Sequence, residues 1–514
     1  MSMLVGYGAV AAFFAVVVIA MEKSRHDGTT LSDYATGGRS FSAWFGTMSF
    51  LNTWLAGSVF TAFAGACAGS GVVGLYAISY GLLAVVLMFF LGKPVNRWGE
   101  VHDLRTQADL LGLRYNSGAV RIIAACIGTA ASIPWIVLGM QSLSLVFSKL
   151  SFGRVDAYVA LFIGVAFIAL RQVWTVRFGT YGLVVSDMVQ GLVAYGVGFL
   201  AILGMLMWLF QNDHGFDSVA PQLLTLPGPG SELGPLYLFS IIATGATGAW
   251  CWPDIFVRLF SVKSPREVQK SALQAAPIMF LFSAALYTMA LLASSVPGVS
   301  DAPDHVWFTM ASVVGGVGLV SIAGVCVVAA TMGNAGANLQ AVGTQIVNDV
   351  IDVVQGRRDD RARSAKVAVA VVTLASAVAA IATAKMTSGL LNVALVSYTA
   401  ICQLAPTILL GIFWRRGTAS AASASMLTGI VVGAAFEIAY PMSIPWLGGL
   451  TAGVAGLVVN LVVYVGGSLL YPAGAAERGR VDALFDSLDA TESTATVSHL
   501  VSDAHPSARR RSLL

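Results

Sequence analysis

Residues 42–71 read SAWFGTMSFLNTWLAGSVFTAFAGACAGSG. The stretch is apolar enough, and long enough, to cross a bilayer, which takes about 20 residues. Its middle is wrong for a plain anchor. Ser49, Asn52, Thr53, Gly57 and Ser58 sit where a lipid-facing helix carries Leu and Val. Small and polar residues at that depth have two readings. One is close helix packing. The other is a broken helix whose freed carbonyls and amides face a cavity and bind a solute or ion. A second stretch of the same kind, 241–256, reads IIATGATGAWCWPDIF, with Gly245, Gly248 and Pro253. Interrupted segments at matching places in two halves point to a transporter site.

The rest of the chain fits a membrane protein. Of 514 residues, 57% are hydrophobic and 11% charged, against about 25% charged in an average chain. Mean hydropathy is +0.78. This is the composition of an all-α polytopic membrane protein. The five cysteines (Cys67, Cys126, Cys251, Cys326, Cys402) lie in apolar stretches without a CxxC pair and read as buried small hydrophobes. The sequence contains no HExxH, P-loop or GxSxG motif, so an enzyme is not expected, nor a cofactor or a nucleic-acid partner. The first apolar run, 4–21, has neither a basic leader nor a cleavage site and reads as a retained helix.

Apolar runs predict about 13 spans, near 3–21, 41–70, 72–92, 119–148, 155–171, 178–210, 235–260, 271–296, 307–347, 364–384, 388–414, 418–440 and 444–471. Basic residues test this count. All of the 29 Lys and Arg except Lys149, Arg154 and Lys385 fall in alternate connections or the tail. By the positive-inside rule the N-terminus is outside and the C-terminus cytoplasmic, in a plasma (inner) membrane. Residues 211–233 carry Asp213, Asp217 and Glu232 and no Lys or Arg, as an outer loop should. The tail from Pro472 to Leu514 is rich in Ala, Ser, Thr and Asp, which predicts disorder, with a short helix near 481–488.

Asp187, in TYGLVVSDMVQGLV, is the acid placed well inside a span, 10 residues after Arg177, or about 15 Å of helix. An unpaired carboxylate there is costly, so it faces a water path or a cation, or else is a structural acid bonded to hydroxyls such as Ser186. In 329–340, AATMGNAGANLQ, Gly333, Asn334, Gly336 and Asn338 interrupt another apolar run. Thr53, Trp54, Tyr76, Tyr80, Trp135, Gln141, Trp250, Trp252 and Gln403 are candidates to line a solute cavity. No Lys or Arg is expected at mid-membrane. An anionic solute would meet the N-termini of half-helices near Trp54 and Trp250.

With these residues in view, the chain resembles the sodium/solute symporter family. SDYATGGRSFSAW (32–44), TQADLLGLRYNS (106–117), SDMVQG (186–191) and LLGIFWRRGTASAA (409–422) are similar to four family motifs, in order. IPWIVLGMQ (133–141), WCWPDIFVRLFSVKS (250–264) and CQLAP (402–406) resemble the monocarboxylate permease branch most, although Asp254 stands where that branch has a His.

The resemblance implies a leucine-transporter-like core of two inverted five-helix repeats. They would cover 41–210 and 235–417, with an extra helix and cytoplasmic loop at 1–40, an outer loop at 211–234, two further helices at 418–471 and the tail at 472–514. It implies alternating-access symport of a small organic solute, a monocarboxylate by branch, with sodium as coupling ion. Proton coupling, a cation-independent carrier and a non-transporting solute sensor are the alternatives. Sodium would be held by carbonyls of Asn52, Leu55 and Ala330, by the two positions of Gly333 and Asn334, and along a path past Asp187. The family has hydroxyls where this chain has Gly333 and Asn334.

The charge alternation generates a test. Single cysteines placed in 211–233 should react with an impermeant reagent in intact cells, and cysteines in 357–366 should not. Labelling of the second segment from outside would overturn the topology.

Overall fold

A computed structural model describes residues 1–24, 30–358, 360–383 and 390–488. Arg25, Lys385 and the tail beyond Leu488 lie outside the described residues. Among the described residues, 10 helices are long and apolar enough to cross a membrane. The other expected spans are present in pieces or as parts of bent helices. The long helices follow from the apolar runs, because in hydrocarbon a backbone must satisfy its polar groups internally.

The chain starts with α1 (Ser2–Lys23). The expected interruption follows, as α2 (Ala43–Trp54), a 3-10 turn over Gly57–Val59, and α3 (Ala62–Ser70). Helix α4 (Tyr76–Val101) leads to the short α5 (Gln107–Tyr115) and to α6 (Gly118–Leu150). Helix α7 (Ala157–Gly191) continues through a π-helical turn, Leu192–Val197, into α8 (Gly198–Gln211). The second interruption separates α9 (Tyr237–Gly248) from α10 (Pro253–Ser261). Its cause is local: Trp252 is extended, as a residue before proline prefers, and Pro253 starts the new helix at its first position.

Then come α11 (Pro265–Leu292), α12 (Val306–Gln345), α13 (Ala362–Ala382), α14 (Leu390–Ile401), α15 (Ala419–Ala439) and α16 (Ala452–Leu470). Helix α12 is the axis of the bundle. It packs on α1, α2, α6, α7, α8, α10 and α13, and every residue from Cys326 to Gln345 is buried. Helices α15 and α16 pair with each other at the side.

Gly179 divides α7. Its φ of 59° and ψ of −147° belong to glycine's region, and a Cβ there would come 2.5 Å from the Tyr34 carbonyl. This bend turns one long apolar element into two expected spans, 155–171 and 178–210.

Most charged residues gather at one end. Thr106 caps α5 by accepting from the Asp109 amide at 3.0 Å, and its hydroxyl donates to Asp349 at 2.6 Å. Arg121 pairs with Asp349 at 2.7 Å and with Asp109 at 3.1 Å. Arg114 donates to the carbonyls of Gly411, Trp414 and Arg415, which end the helical unit after α14. Asp103 in the same region has a carboxyl below its usual range. Partial burial raises it, but the Ser32 hydroxyl and the charges of Arg105, Arg358 and Arg39 outweigh that.

Two expectations need correction. The short helix expected near 481–488 is present but begins earlier, running over 475–488. Its Phe485 packs between Trp98, Arg114 and Arg415, and Arg480 donates to the carbonyls of Leu113 and Arg114 at 3.0 and 2.8 Å. Val481, Leu484 and Phe485 share the face by which it packs. Cys126, read as buried, is exposed on the outer side of α6; the other four cysteines are buried and all five are free.

Gly179→Ala should cost about 1–3 kcal/mol, the usual penalty for a side chain in this backbone region. Thermal unfolding of the purified protein in detergent measures it. An unchanged melting temperature would remove Gly179 from the account of the bend.

Candidate functional site

The two interruptions lie side by side. Phe50 of α2 stacks on Trp250 with centroids 5.5 Å apart, and Trp54 lies 6.0 Å from Phe50 and 5.4 Å from Tyr80. Tyr80 continues to Tyr76 at 5.5 Å and to Tyr398 at 6.2 Å. Tyr398 touches Trp252 at 5.4 Å and Trp135 at 6.0 Å. The expected aromatics Trp54, Tyr76, Tyr80, Trp135, Trp250 and Trp252 therefore form one cluster. Tyr398 joins them and was missed, because a tyrosine in an apolar span carries no signal of its facing.

Beside this cluster is a small cavity lined by Ala56, Gly57, Ser58, Trp135, Leu138, Gly139, Ser142, Thr331 and Asn334. The Ser58 hydroxyl is buried and has no hydrogen-bond partner among the described residues. A buried polar atom left so is expensive, so it marks a place for a ligand or water.

Not every candidate faces this space. Gln141 donates to the Ala380 carbonyl and the Thr383 hydroxyl, both at 3.0 Å, and so ties α6 to α13. Gln403 donates to the carbonyls of Thr399 and Gly453 and accepts from Asn460, against α16. Both are structural bonds between helices. The Thr53 hydroxyl is bonded to the Ser49 carbonyl at 2.8 Å within its own helix.

Asp187 is fully buried, but not alone. Ser49 donates to it at 2.7 Å and the Asn52 amide at 3.0 Å. Arg258 of α10 is 3.5 Å away and itself only 2% exposed. Arg171, 1% exposed, bonds to Thr175 and, at 2.9 Å, to Ser186 beside Asp187. The expectation of no cation in the interior is corrected here, and the hydroxyl bonded to Asp187 is that of Ser49, not Ser186. Position in sequence put Arg171 and Arg258 in basic connections at span ends, whereas the folded helices carry both guanidinium groups inward. The three guanidinium nitrogens of Arg258 make no hydrogen bond among the described residues, so its charge is offset through space by Asp187 and by the buried Asp254 one turn before it.

Residues 34–429 match the sodium:solute symporter family. The chain belongs to that family. It is 30% identical over 252 residues to an uncharacterized symporter, YhjB, of Bacillus subtilis (strain 168). That alignment takes in 47% of this chain and 50% of YhjB, so it spans about half of that relative. Over 451 residues, 81% of this chain and 79% of the other, it is 25% identical to a protein of Corynebacterium glutamicum named monocarboxylic acid transporter.

Among solved structures, the substrate-bound outward-open state of a Na+-coupled sialic acid symporter superposes with a TM-score of 0.74 at 15% identity. The match covers 91% of this chain and 98% of that one. Mhp1, a nucleobase-cation-symport-1 family transporter in a closed conformation, gives 0.56 at 16% identity, covering 89% and 99%. The fold of this family member is thus leucine-transporter-like, and the chain is a multi-pass membrane transporter, not an enzyme.

The family is sodium-coupled, so the residues expected to hold sodium can be tested for fit. A hard cation wants oxygen lone pairs. Gly333 has none to offer from a side chain. The Asn334 amide nitrogen is turned to the Thr53 carbonyl at 2.7 Å, which spends a donor there. The Leu55 carbonyl accepts from the Tyr195 hydroxyl at 2.8 Å. The Asn52 amide nitrogen lies between Asp187 and Gln190, 2.9 Å from the latter, in the room that a side chain at Gly333 would need. Of the expected ligands, then, Gly333 brings no side-chain oxygen, the Leu55 carbonyl already accepts a hydrogen bond and Asp187 already has a guanidinium beside it, which fits sodium poorly.

Removing either half of the Asp187–Arg258 pair leaves a buried charge. Asp187→Asn or Arg258→Gln should each destabilise the protein by roughly 3–5 kcal/mol. The double variant should lose less than the sum of the two, by roughly 0.5–3 kcal/mol of coupling. Chemical denaturation in detergent measures all three, and strictly additive losses would show that the two groups do not interact.

Proposed function

We propose that the chain is a secondary active carrier for a small organic solute of the monocarboxylate class, working by alternating access about the two helix interruptions. One observation carries the reading. The cavity at Ala56–Gly57–Ser58 has an aromatic wall and a buried hydroxyl without a hydrogen-bond partner among the described residues, and it lies at the break between α2 and α3. As it stands the cavity has room for about one water, at about 10 Å³, so a small carboxylate enters only as the helices around it part, which alternating access provides. The solute's oxygens then meet the Ser58 hydroxyl and the remaining N–H of the Asn334 amide, and its carbon part meets Trp135.

The name of the Corynebacterium relative supports the solute class. The charge alternation supports a plasma-membrane orientation with the N-terminus outside. The ion-paired end at Thr106, Arg121 and Asp349 supplies a closed gate on the basic side, which alternating access requires.

Proteoliposomes offered labelled short carboxylates, amino acids and sugars should accumulate or exchange a carboxylate in preference to the others. Trp135→Ala should raise the half-saturating concentration about tenfold, equivalent to about 1.4 kcal/mol. Selective uptake of a sugar, or unchanged affinity in the variant, would displace the carboxylate reading or this cavity, respectively.

A further inference from the structure

We propose that this chain has replaced the sodium ion of its fold with donors of its own, so that its transport does not depend on sodium. The inference deepens the carrier reading above by naming its coupling, and it stands on geometry around Asn52.

Three donors converge on this region, and one of them takes an expected sodium ligand, the Leu55 carbonyl. The Tyr195 hydroxyl lies 2.8 Å from the Leu55 carbonyl and 3.1 Å from that of Leu51. The Asn334 amide takes the Thr53 carbonyl at 2.7 Å. The Asn52 amide takes Asp187 at 3.0 Å and Gln190 at 2.9 Å. Each N–H or O–H turns the positive end of a dipole toward the oxygen it engages. A sodium ion entering among them would meet those hydrogens instead of lone pairs, and would have to displace bonds already made.

The steric evidence is independent of the hydrogen bonds. A Cβ at Gly333 would collide with the Asn52 amide nitrogen and lie 3.1 Å from the Gln190 oxygen. Glycine at 333 and asparagine at 52 therefore belong together. The side chain lost from α12 is the room filled by the side chain on α2. A hydroxyl at 333 and an amide at 52 are alternatives, and this chain has the amide.

The charge is balanced as well. Asp187 already has a cation, Arg258 at 3.5 Å, with Arg171 bonded to the adjoining Ser186. A carboxylate that faced only hydroxyls would favour a bound cation, but one paired with a guanidinium has much less to gain from it. Tyr195, Asn52 and Arg258 come from three different helices, so the arrangement is a property of the fold and not of one local motif.

Two measurements on the purified full chain, and one in proteoliposomes, test this. Melting temperatures should be the same in sodium chloride, potassium chloride and choline chloride at equal ionic strength; a stabilisation specific to sodium overturns the proposal, since a ligand bound to the native state raises its stability.

Gly333→Ala should lower the melting temperature, and Asn52→Ala in the same chain should recover most of the loss. Additive losses would show that Asn52 does not fill the room at Gly333, and would overturn the steric half. Neither result requires that a solute be known.

Uptake of a labelled short carboxylate should proceed at the same rate when choline replaces sodium. A rate that rises with sodium overturns the proposal. Absence of uptake in both media would count against the carboxylate-carrier reading instead, while the melting comparison still decides the question of sodium.

Discussion

A helix interrupted inside a membrane protein leaves carbonyls and amides without partners, and a low-dielectric interior makes each of them costly. Much of the centre of this structure answers that cost. The carbonyls of Thr53 and Leu55 are released where α2 stops, and that of Leu51, which takes the Leu55 amide at 2.7 Å, is the last one bonded within the helix. Tyr195 reaches two of them from the π-helical turn before α8, and Asn334 reaches the third from α12. At the second interruption, Trp250 is held in place by a 2.8 Å bond from its indole nitrogen to the Ala84 carbonyl. Helix α12 is buried for 20 residues running because it must pass close enough to serve the first break. Its small residues, Gly333 and Gly336 among them, make that approach possible; side chains there would meet Asn52 and Arg171.

The same requirement explains motifs that are otherwise only patterns. Thr106 and Asp109 in TQADLLGLRYNS build the start of α5, and Arg114 at its end serves the carbonyls of a different helical unit, at Gly411, Trp414 and Arg415. Arg480 of the C-terminal helix then bonds the carbonyls at the end of α5. One helix end thus supports the next across more than 300 residues of chain. Ion pairs on an exposed surface are worth little, but Asp349 and Asp109 are buried, so Arg121 between them is costly to remove.

Most of the architecture was legible in the residues. Length and hydropathy locate the spans, and Gly, Pro, Asn and Ser at mid-span locate both interruptions. The aromatic cluster was legible in part, since Trp54, Tyr80, Trp250 and Trp252 flank those interruptions. What could not be read is which side chains face one another. Arg258 sits four residues before a turn and looks like a residue at the edge of a span; only the fold of α10 against α2 and α12 turns it toward Asp187. Gln141 and Gln403 are the reverse case. An amide in an apolar helix signals a polar partner, but not whether that partner is a solute or the carbonyl of the next helix. Tyr195 gave no sign at all, because burial of an aromatic ring needs no explanation until its hydroxyl is seen on Leu55.

Balancing a buried carboxylate with a tethered guanidinium differs in kind from balancing it with an ion. A sodium ion arrives from one side and leaves on the other, so its gradient does work on each cycle, and its departure changes the charge that surrounds the solute. Arg258 neutralises Asp187 in every state in which α10 and α7 remain in contact, and it returns no energy because it never leaves. If sodium has no place here, as proposed above, the driving force comes from the solute's own gradient, from the membrane potential acting on the solute's charge, or from a proton. The guanidinium also restricts motion. Any movement that separates α10 from α7 parts two charges in a poorly polarisable interior, and is unfavourable unless water or an anion reaches Arg258 as it opens. A carboxylate solute passing between these helices is such an anion. On the carboxylate reading proposed above, the solute is itself an anion chemically equipped to part this pair.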